Sequence, residues 1–248
     1  AAHEKLRANP QEIATLVEIG TLHFEKGKEY YADAINELEE ARELGALDPR
    51  VFYCLGVMYQ EIGLYSFALD EYRRFLRHFP EDKEIRMLAA KLLYRQGDFP
   101  GAVTEYERLK FHHAGDSVIE ENLGLSLWGA KEIDRAVESF TLLRAMLPDQ
   151  GKRAAFYLGQ IAFDKGDYKT ALEHLIGAQP DADRPEYGVA SERPRITLAM
   201  TYQKLEQWPQ AKDAWELVLA QLPGDAKAKA AIREINRRLP KTAPKKKG

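Results

Sequence analysis

The chain has 248 residues, of which 45% are hydrophobic and 30% are charged, a balance that supports a packed core and excludes a disordered chain. The sequence has no apolar run of about 18 residues, which excludes a predicted membrane-spanning helix, and its single cysteine excludes a disulfide framework or cysteine-based zinc site. The net charge of −3 is uneven: residues 230–248 carry +6, so the body before them carries −9, which argues against a general nucleic-acid-binding surface.

The first ten residues are predicted to form an extension before the first helix. Because the sequence begins with Ala1-Ala2-His3 rather than with methionine, we interpret it as a processed or trimmed form. One cysteine is compatible with both the cytoplasm and the periplasm, so the compartment stays open.

Small residues recur along the chain at a nearly constant interval, which indicates an internal repeat. Successive intervals are 34, 34, 34, 35 and 40 residues in the alanine series Ala34, Ala68, Ala102, Ala136, Ala171 and Ala211. A second small residue lies twelve positions before the later alanines, in the series Gly56, Ala90, Gly124, Gly159 and Ala199. The longest interval reflects extra residues at 181–191, which we interpret as a drifted connection rather than as a functional loop.

Each repeat is predicted to contain two helices joined by a turn. In the second repeat, apolar residues on both sides of Gly63 recur three and four positions apart, as on one face of a helix. Pro80, Pro148 and Pro223 then close repeats, because proline cannot continue a helix. No segment alternates between apolar and polar residues over the length of a strand, so we predict an all-α protein.

The small residues are expected to allow close crossing of the two helices in a hairpin. Gly56 with Ala68, and Gly124 with Ala136, are the predicted contact pairs. The aromatic residue four positions after each alanine is predicted to fill the space toward the next hairpin. Since a lone hairpin cannot bury both of its faces, the hairpins are expected to stack.

This pattern resembles the tetratricopeptide repeat, on the residues Leu55-Gly56, Tyr59, Ala68, Tyr72 and Pro80. The same pattern returns around Gly124 and around Ala199, whereas Lys131 stands where the inter-helix glycine is usual. The resemblance implies a right-handed superhelical solenoid of stacked helix-turn-helix repeats with a C-terminal capping helix. The predicted boundaries are 11–48, 49–82, 83–116, 117–151, 152–191 and 192–225 for six repeats, 226–239 for the capping helix and 240–248 for a disordered basic tail.

The capping helix is predicted to cover the last hairpin with apolar residues and to turn its cations to water. We expect Ala226, Ala230 and the segment 232–235 to face the hairpin.

Catalytic and metal-binding residues form no recognisable constellation in the sequence. None of the six histidines has a metal-ligand spacing, and no phosphate-binding glycine loop is present. Cys54 is expected to be a small core residue rather than a redox group. We therefore predict no enzyme activity, no cofactor, no metal and no small-molecule substrate.

The resemblance turns one face of each first helix toward the concave side of the solenoid, and in this sequence that face is largely apolar. Exposed apolar patches usually mark partner sites, although Tyr94, Trp128 and Phe163 stand where aromatic residues often serve packing in this family. In the last repeat the same face carries Met200 and Gln203. The predicted partner-binding residues are Tyr53, Val57, Met87, Lys91, Tyr94, Asn122, Leu125, Trp128, Arg153, Phe156 and Gln160.

Some members of this family hold the terminal carboxylate of a peptide in a clamp of cations and asparagines. The matching positions here are Met87, Lys91, Asn122, Arg153 and Tyr157, of which only Asn122 matches outright. A complete clamp is therefore not expected. We expect instead a polar spot of Lys91, Asn122 and Arg153 that pairs with a carboxylate or with backbone carbonyls of the ligand.

The sequence leaves two functions open. The first is a non-enzymatic scaffold or adaptor that binds a partner peptide or protein segment in its groove and assists assembly of a multiprotein complex. The alternative is tethering to nucleic acid or to a membrane surface through the basic tail, with the solenoid as a spacer. Truncation at Pro240 separates them, because the scaffold keeps its partner whereas the tether loses its binding.

Overall fold

The computed structural model describes residues 11–146, 151–178 and 192–239. In these ranges the chain forms thirteen α-helices and one short 3-10 helix, and it contains no strand. The all-α prediction is confirmed. The predicted extension at 1–10, the connection at 181–191 and the tail at 240–248 lie outside the described residues.

The helices follow one another as consecutive pairs, and each predicted repeat contains one pair. The 3-10 helix Lys28–Tyr30 precedes the second helix. The helices are α1 (Gln11–Lys26), α2 (Tyr31–Glu43), α3 (Pro49–Glu61), α4 (Tyr65–His78), α5 (Lys83–Arg95), α6 (Phe99–His112), α7 (Ser117–Gly129), α8 (Ile133–Met146), α9 (Lys152–Asp164), α10 (Tyr168–Gly177), α11 (Glu192–Lys204), α12 (Trp208–Gln221) and α13 (Ala226–Arg238).

The chain divides into two compact units, residues 1–119 and residues 120–248. In the first unit, α1 packs on α2, α3 on α4 and α5 on α6, and the hairpins meet where α2 contacts α3 and α4 contacts α5. In the second unit, α8 contacts α9, α9 packs on α10, α10 contacts α11, α11 packs on α12, and α12 packs on α13. Each unit is therefore a stack of helix hairpins, as the repeat pattern predicts.

Aspartates define the start of six helices. The side chain of each accepts a hydrogen bond from a backbone N–H in the first turn that follows, and the six are Asp48, Asp82, Asp98, Asp116, Asp167 and Asp225. Such a cap satisfies a donor that the helix itself leaves unpaired, and it contributes about 1 kcal/mol. The aspartate that precedes each of these helices thus sets where the helix begins.

The turn within a hairpin requires a left-handed backbone. Gly63, Gly97 and Gly166 occupy this turn with φ of 86°, 81° and 81°. Lys131 and Glu206 stand at the corresponding positions of two other hairpins, with φ of 67° and 57°. A side chain in this region of backbone space costs about 1 kcal/mol, so these two hairpins keep the turn geometry at some expense in stability.

The helix crossing in four of the six hairpins is built around a glycine and a large side chain. A Cβ added to Gly56 would lie 2.5 Å from Cε1 of Tyr72, and one added to Gly124 would lie 2.6 Å from Cε1 of Phe140. The rings therefore lie against the glycine of their own hairpin. The prediction that these aromatics fill the space toward the next hairpin holds for Phe140, whose ring centroid also lies 4.7 Å from that of Tyr157 on α9.

The last helix covers α12 with a set of residues that matches the prediction at Ile232 and Ile235 but not at Ala226 and Ala230. Ala228 and Ile235 are fully buried, and Ala231 and Ile232 are partly buried against the same cluster. Ala226 and Ala230 are exposed instead. The residues three, four and seven positions after Ala228 lie on the same face of the helix as Ala228, and this face is buried. Ala226 and Ala230 lie on a different face.

Candidate functional site

Five predicted binding residues lie in the first unit and form what we call the first-unit face: Tyr53, Val57, Met87, Lys91 and Tyr94. Two of them are on α3 and three on α5, at related positions of adjacent repeats. Tyr53 is 39% exposed and Tyr94 is 38% exposed, whereas Val57 and Met87 are half-buried. Two aromatic rings and two apolar side chains of this face are thus in contact with solvent.

Each of the two tyrosines of this face contacts another aromatic ring on one side. The ring of Tyr53 meets the ring of Phe24 edge-on at 6.2 Å between centroids, and the ring of Tyr94 meets that of Phe99 edge-on at 5.3 Å. Lys91 is exposed and forms no ion pair with any residue in the described part of the chain. The face therefore offers two positioned aromatic rings and a cation whose charge is not neutralised locally.

The other six predicted residues belong to the second unit: Asn122, Leu125, Trp128, Arg153, Phe156 and Gln160. Trp128 is half-buried, and its ring lies edge-on to the rings of Phe140 and Tyr157, each at 6.3 Å between centroids. Its contacts are those of a packing residue that keeps one side toward solvent. Leu125 and Asn122 are also half-buried.

Of the two cations predicted to bind a ligand carboxylate, Lys91 and Arg153, Arg153 is already paired. Arg153 Nη2 lies 2.8 Å from Oε2 of Glu121, whose side chain is 11% exposed. The hydroxyl of Tyr157 donates a hydrogen bond to Oε1 of Glu121 at 3.1 Å. Burial raises the pKa of Glu121, and the charge of Arg153 and the Tyr157 hydrogen bond oppose that increase. A ligand carboxylate would have to compete with Glu121 for Arg153.

Sequence reasoning missed this cluster because it treated Glu121 as one polar position on an apolar face. A usable signal existed: Arg153 and Tyr157 follow Glu121 by 32 and 36 residues, close to one repeat period. Residues one period apart lie on neighbouring first helices, so an acid, a base and a tyrosine at this spacing predict a mutual contact.

Gln160 and Phe156 are also engaged within the protein. Gln160 accepts a hydrogen bond from the Thr197 hydroxyl at 2.9 Å and donates one to Asp164 at 2.9 Å. Phe156 is only 2% exposed, and the guanidinium of Arg193 lies 5.9 Å from its ring centre. The prediction that Phe156 presents its ring on an open face was wrong, because neighbouring side chains cover it.

The cysteine of this chain, Cys54, is buried in the first unit. Burial raises the pKa of the Cys54 thiol to about 12, so the thiol is un-ionised at neutral pH and a poor nucleophile. Within residues 11–146, 151–178 and 192–239, no three His, Cys, Asp or Glu residues are grouped to hold a metal ion. None of the helices in these ranges is long and apolar enough to cross a membrane.

The family model of the tetratricopeptide repeat matches this chain at residues 59–117 and 122–185. These two stretches include the hairpins that carry most of the predicted binding residues. The resemblance drawn from the repeat period is confirmed by this match.

Known proteins with this architecture include a curated relative and several solved structures. The BBSome complex member BBS4 of Bos taurus is 23% identical over 214 residues, which are 86% of this chain but only 39% of that protein. PilF of Pseudomonas aeruginosa superposes with a TM-score of 0.58 at 16% identity, covering 92% of this chain and 97% of PilF. YrrB, a tetratricopeptide-repeat protein with an unusual peptide-binding site, superposes with a TM-score of 0.59 at 20% identity, covering 73% and 94%.

Proposed function

The chain belongs to the tetratricopeptide-repeat family, and we propose that it is a non-enzymatic scaffold or adaptor that binds a peptide or protein segment of a partner and assists assembly of a multiprotein complex. The fold alone does not assign this role, because one fold hosts many functions. The proposal is therefore carried by a feature of this particular chain, the first-unit face.

The observation that carries the proposal is the partial exposure of Tyr53 and Tyr94 on neighbouring first helices. A tyrosine presents a large, rigid surface and loses little conformational entropy on binding, which is why it is enriched where proteins meet. Both rings are braced from one side by another ring. A partner that covers them would bury apolar surface without first having to order the side chains.

Lys91 supplies the polar element of the same face. An ammonium group without a local counter-charge is available to a carboxylate or to backbone carbonyls of a bound segment. Arg153 is less suited to this role, because Glu121 already pairs with it. We therefore assign orientation of the ligand to Lys91 and leave Arg153 out of the proposed site.

The similar proteins support the proposal at the level of the class. YrrB is a tetratricopeptide-repeat protein with a peptide-binding site, and BBS4 is a member of a protein complex. Because the chain spans about two fifths of BBS4, the partners and activity of that whole protein are not transferred here. The similar proteins support the proposal because the same architecture serves partner binding in other chains.

The proposal is tested by co-purification of partners with affinity-tagged chains. The double variant Tyr53→Ala, Tyr94→Ala removes both exposed rings, and each ring is expected to contribute about 2 kcal/mol if it is a central contact. The variant should lose its partner while its melting temperature changes little. Phe111→Ala is the matched control, because Phe111 is 83% exposed on the second helix α6 and its removal deletes an aromatic ring elsewhere in the same unit.

Retention of the same partners by the double variant would overturn the proposal. Loss of partners from the Phe111→Ala chain alone would place the binding surface on the second helices. A fall in the melting temperature of the double variant large enough to unfold it at the working temperature would show that the two rings serve packing rather than binding.

A further inference from the structure

A groove in the second unit lies between the last helix, α13, and the hairpin α11–α12, and we call it the C-terminal groove. Its volume is about 470 Å³, within the range of cavities that hold ligands or several side chains. The residues that matter for its chemistry are Met200, Lys204, Trp208, Trp215, Lys227 and Arg238. It is distinct from the first-unit face.

The floor of the C-terminal groove is apolar and held in place. Trp215 is 1% exposed, and its indole N–H donates a hydrogen bond to Oε1 of Gln203 at 2.7 Å, so its polar atom is satisfied. Trp208 and Met200 are half-buried and border the open space. An apolar side chain that entered would meet the indole ring of Trp208 and the thioether of Met200 without any buried polar group losing its partner.

The rim of the groove is cationic, with Lys204, Lys227 and Arg238 opposed by a single carboxylate, Glu234. Glu234 pairs with Arg238 at 2.8 Å, and the Arg238 guanidinium lies 4.7 Å from the Trp208 ring centre. The Lys227 ammonium lies 3.3 Å from the sulfur of Met200, which is a weak acceptor. Two lysines are therefore left without a carboxylate partner in the described part of the groove.

The chain's own basic tail does not complement this rim. Residues 240–248 contain four lysines and no acidic residue, so they carry the same sign of charge as the rim. The occupant that matches both the floor and the rim is a segment with carboxylates on either side of a large apolar residue. Charge complementarity of this kind sets which partner binds and how fast it associates.

We propose that the C-terminal groove binds an acidic segment of a partner protein, with an apolar side chain against Trp208 and Met200 and carboxylates at Lys204 and Lys227. This site goes beyond the first-unit face and does not depend on it. The two faces could engage one partner or two.

The probe is a fluorescein-labelled hexapeptide of sequence Glu-Asp-Leu-Glu-Asp-Phe, titrated with the full chain and followed by fluorescence anisotropy. Lys227→Glu should weaken binding about tenfold, because it replaces an attraction with a repulsion at the rim. Lys229→Glu is the matched control: it makes the same charge change two residues along α13, at an exposed residue that does not line the groove. It should have little effect at about 0.15 M salt, where Debye screening is strong.

Two further measurements separate binding in the groove from general attraction. Trp208→Ala should weaken the peptide about thirtyfold, the effect of removing a central aromatic contact, and circular dichroism should show that α13 is retained. A basic peptide, Lys-Arg-Leu-Lys-Arg-Phe, should not bind. The double variant Tyr53→Ala, Tyr94→Ala should bind the acidic peptide as the wild type does, so failure of one site is distinguishable from failure of the other.

The proposal is overturned if the acidic peptide does not saturate, if Lys227→Glu and Lys229→Glu weaken it equally, or if the basic peptide binds as well. It is also overturned if the chain is a dimer by light scattering and Lys227→Glu makes it a monomer. In that case a second copy of the chain, not an acidic partner, occupies the groove.

Discussion

Residues at corresponding positions of different repeats have different roles, because the stacked helix hairpins bury them to different depths. Tyr53, Met87, Glu121 and Phe156 stand at corresponding positions of four repeats, yet Tyr53 is 39% exposed and Phe156 is 2% exposed. The difference comes from what lies beside each residue. Arg193 and Tyr157 lie against the ring of Phe156, whereas Tyr53 meets Phe24 only at one edge.

Glu121 gives a prediction at this scale. Burial raises its pKa in the folded protein above 4.5, the ordinary value expected in the unfolded chain. The folded state then binds the proton more tightly, so the contribution of this group to stability is full below pH 4.5 and is lost as the pH rises through the raised pKa. Relative to a Glu121→Gln variant, the wild type should therefore gain stability as the pH falls from 7 toward 4.5, as measured by urea unfolding.

Tyr157→Phe sharpens the same test. The Tyr157 hydroxyl stabilises the ionised carboxylate and so lowers the pKa of Glu121. Its removal should make the pH dependence steeper than in the wild type. A stability difference between wild type and Glu121→Gln that stays constant from pH 7 to 4.5 would contradict the assignment.

At the scale of the helix hairpin, four hairpins share a contact between a glycine and a large side chain four residues beyond the repeat alanine. Tyr72 and Phe140 occupy the space that a Cβ at Gly56 and Gly124 would need. In hairpins 1 and 5 a leucine takes the place of the ring, with Leu38 Cγ 2.6 Å from a Cβ at Gly20 and Leu175 Cγ 2.7 Å from one at Gly159. The repeat therefore tolerates a ring or a leucine at the crossing.

Gly124→Ala should destabilise the protein by about 1–3 kcal/mol, because the added methyl group overpacks the crossing against Phe140. Gly177→Ala is the control within the same unit, since its nearest neighbour would be Nη2 of Arg144 at 4.0 Å. That change should be neutral or stabilising by up to about 1 kcal/mol, because alanine loses less backbone entropy in a helix. Equal shifts of the two urea midpoints would mean that the crossing is not where the structure has it.

The turn of the fourth hairpin gives a second prediction at the scale of the helix hairpin. Lys131 adopts φ of 67° where three other hairpins have glycine. Lys131→Gly should relieve strain and stabilise the protein by about 0.5–1 kcal/mol. Lys165→Gly, at a right-handed position one residue before Gly166, should instead destabilise it by a similar amount. The opposite order of thermal midpoints would contradict this account of the turn.

At the scale of the whole molecule, the helix pairs were predictable from sequence because each helix packs on helices close to it in the chain. A period of 34 residues therefore contains most of the information on which residues pack together. The position of Lys131 at the turn and the burial of Ala68, Ala102 and Ala136 follow from that period alone.

The partner-binding face was less predictable, because exposure depends on side chains from neighbouring helices rather than on register. Tyr53 and Phe156 have the same register but different neighbours, and only the structure distinguishes them. The groove beside α13 arises in the same way, because it requires knowing which side chains meet across helices, which no single helix pattern contains. The pairing of Arg153 with Glu121 was signalled by a spacing close to one repeat period, which is visible only when neighbouring repeats are compared.

The central claim, that the first-unit face contacts a partner, is tested most directly by site-specific photo-crosslinking. The photoreactive residue p-benzoylphenylalanine replaces Tyr94 in one chain and Phe111 in another, so both probes occupy exposed aromatic positions of the same unit. A partner crosslinked from position 94 and absent from position 111 is the predicted result. Crosslinking from position 111 alone, or equally from both positions, would contradict the claim.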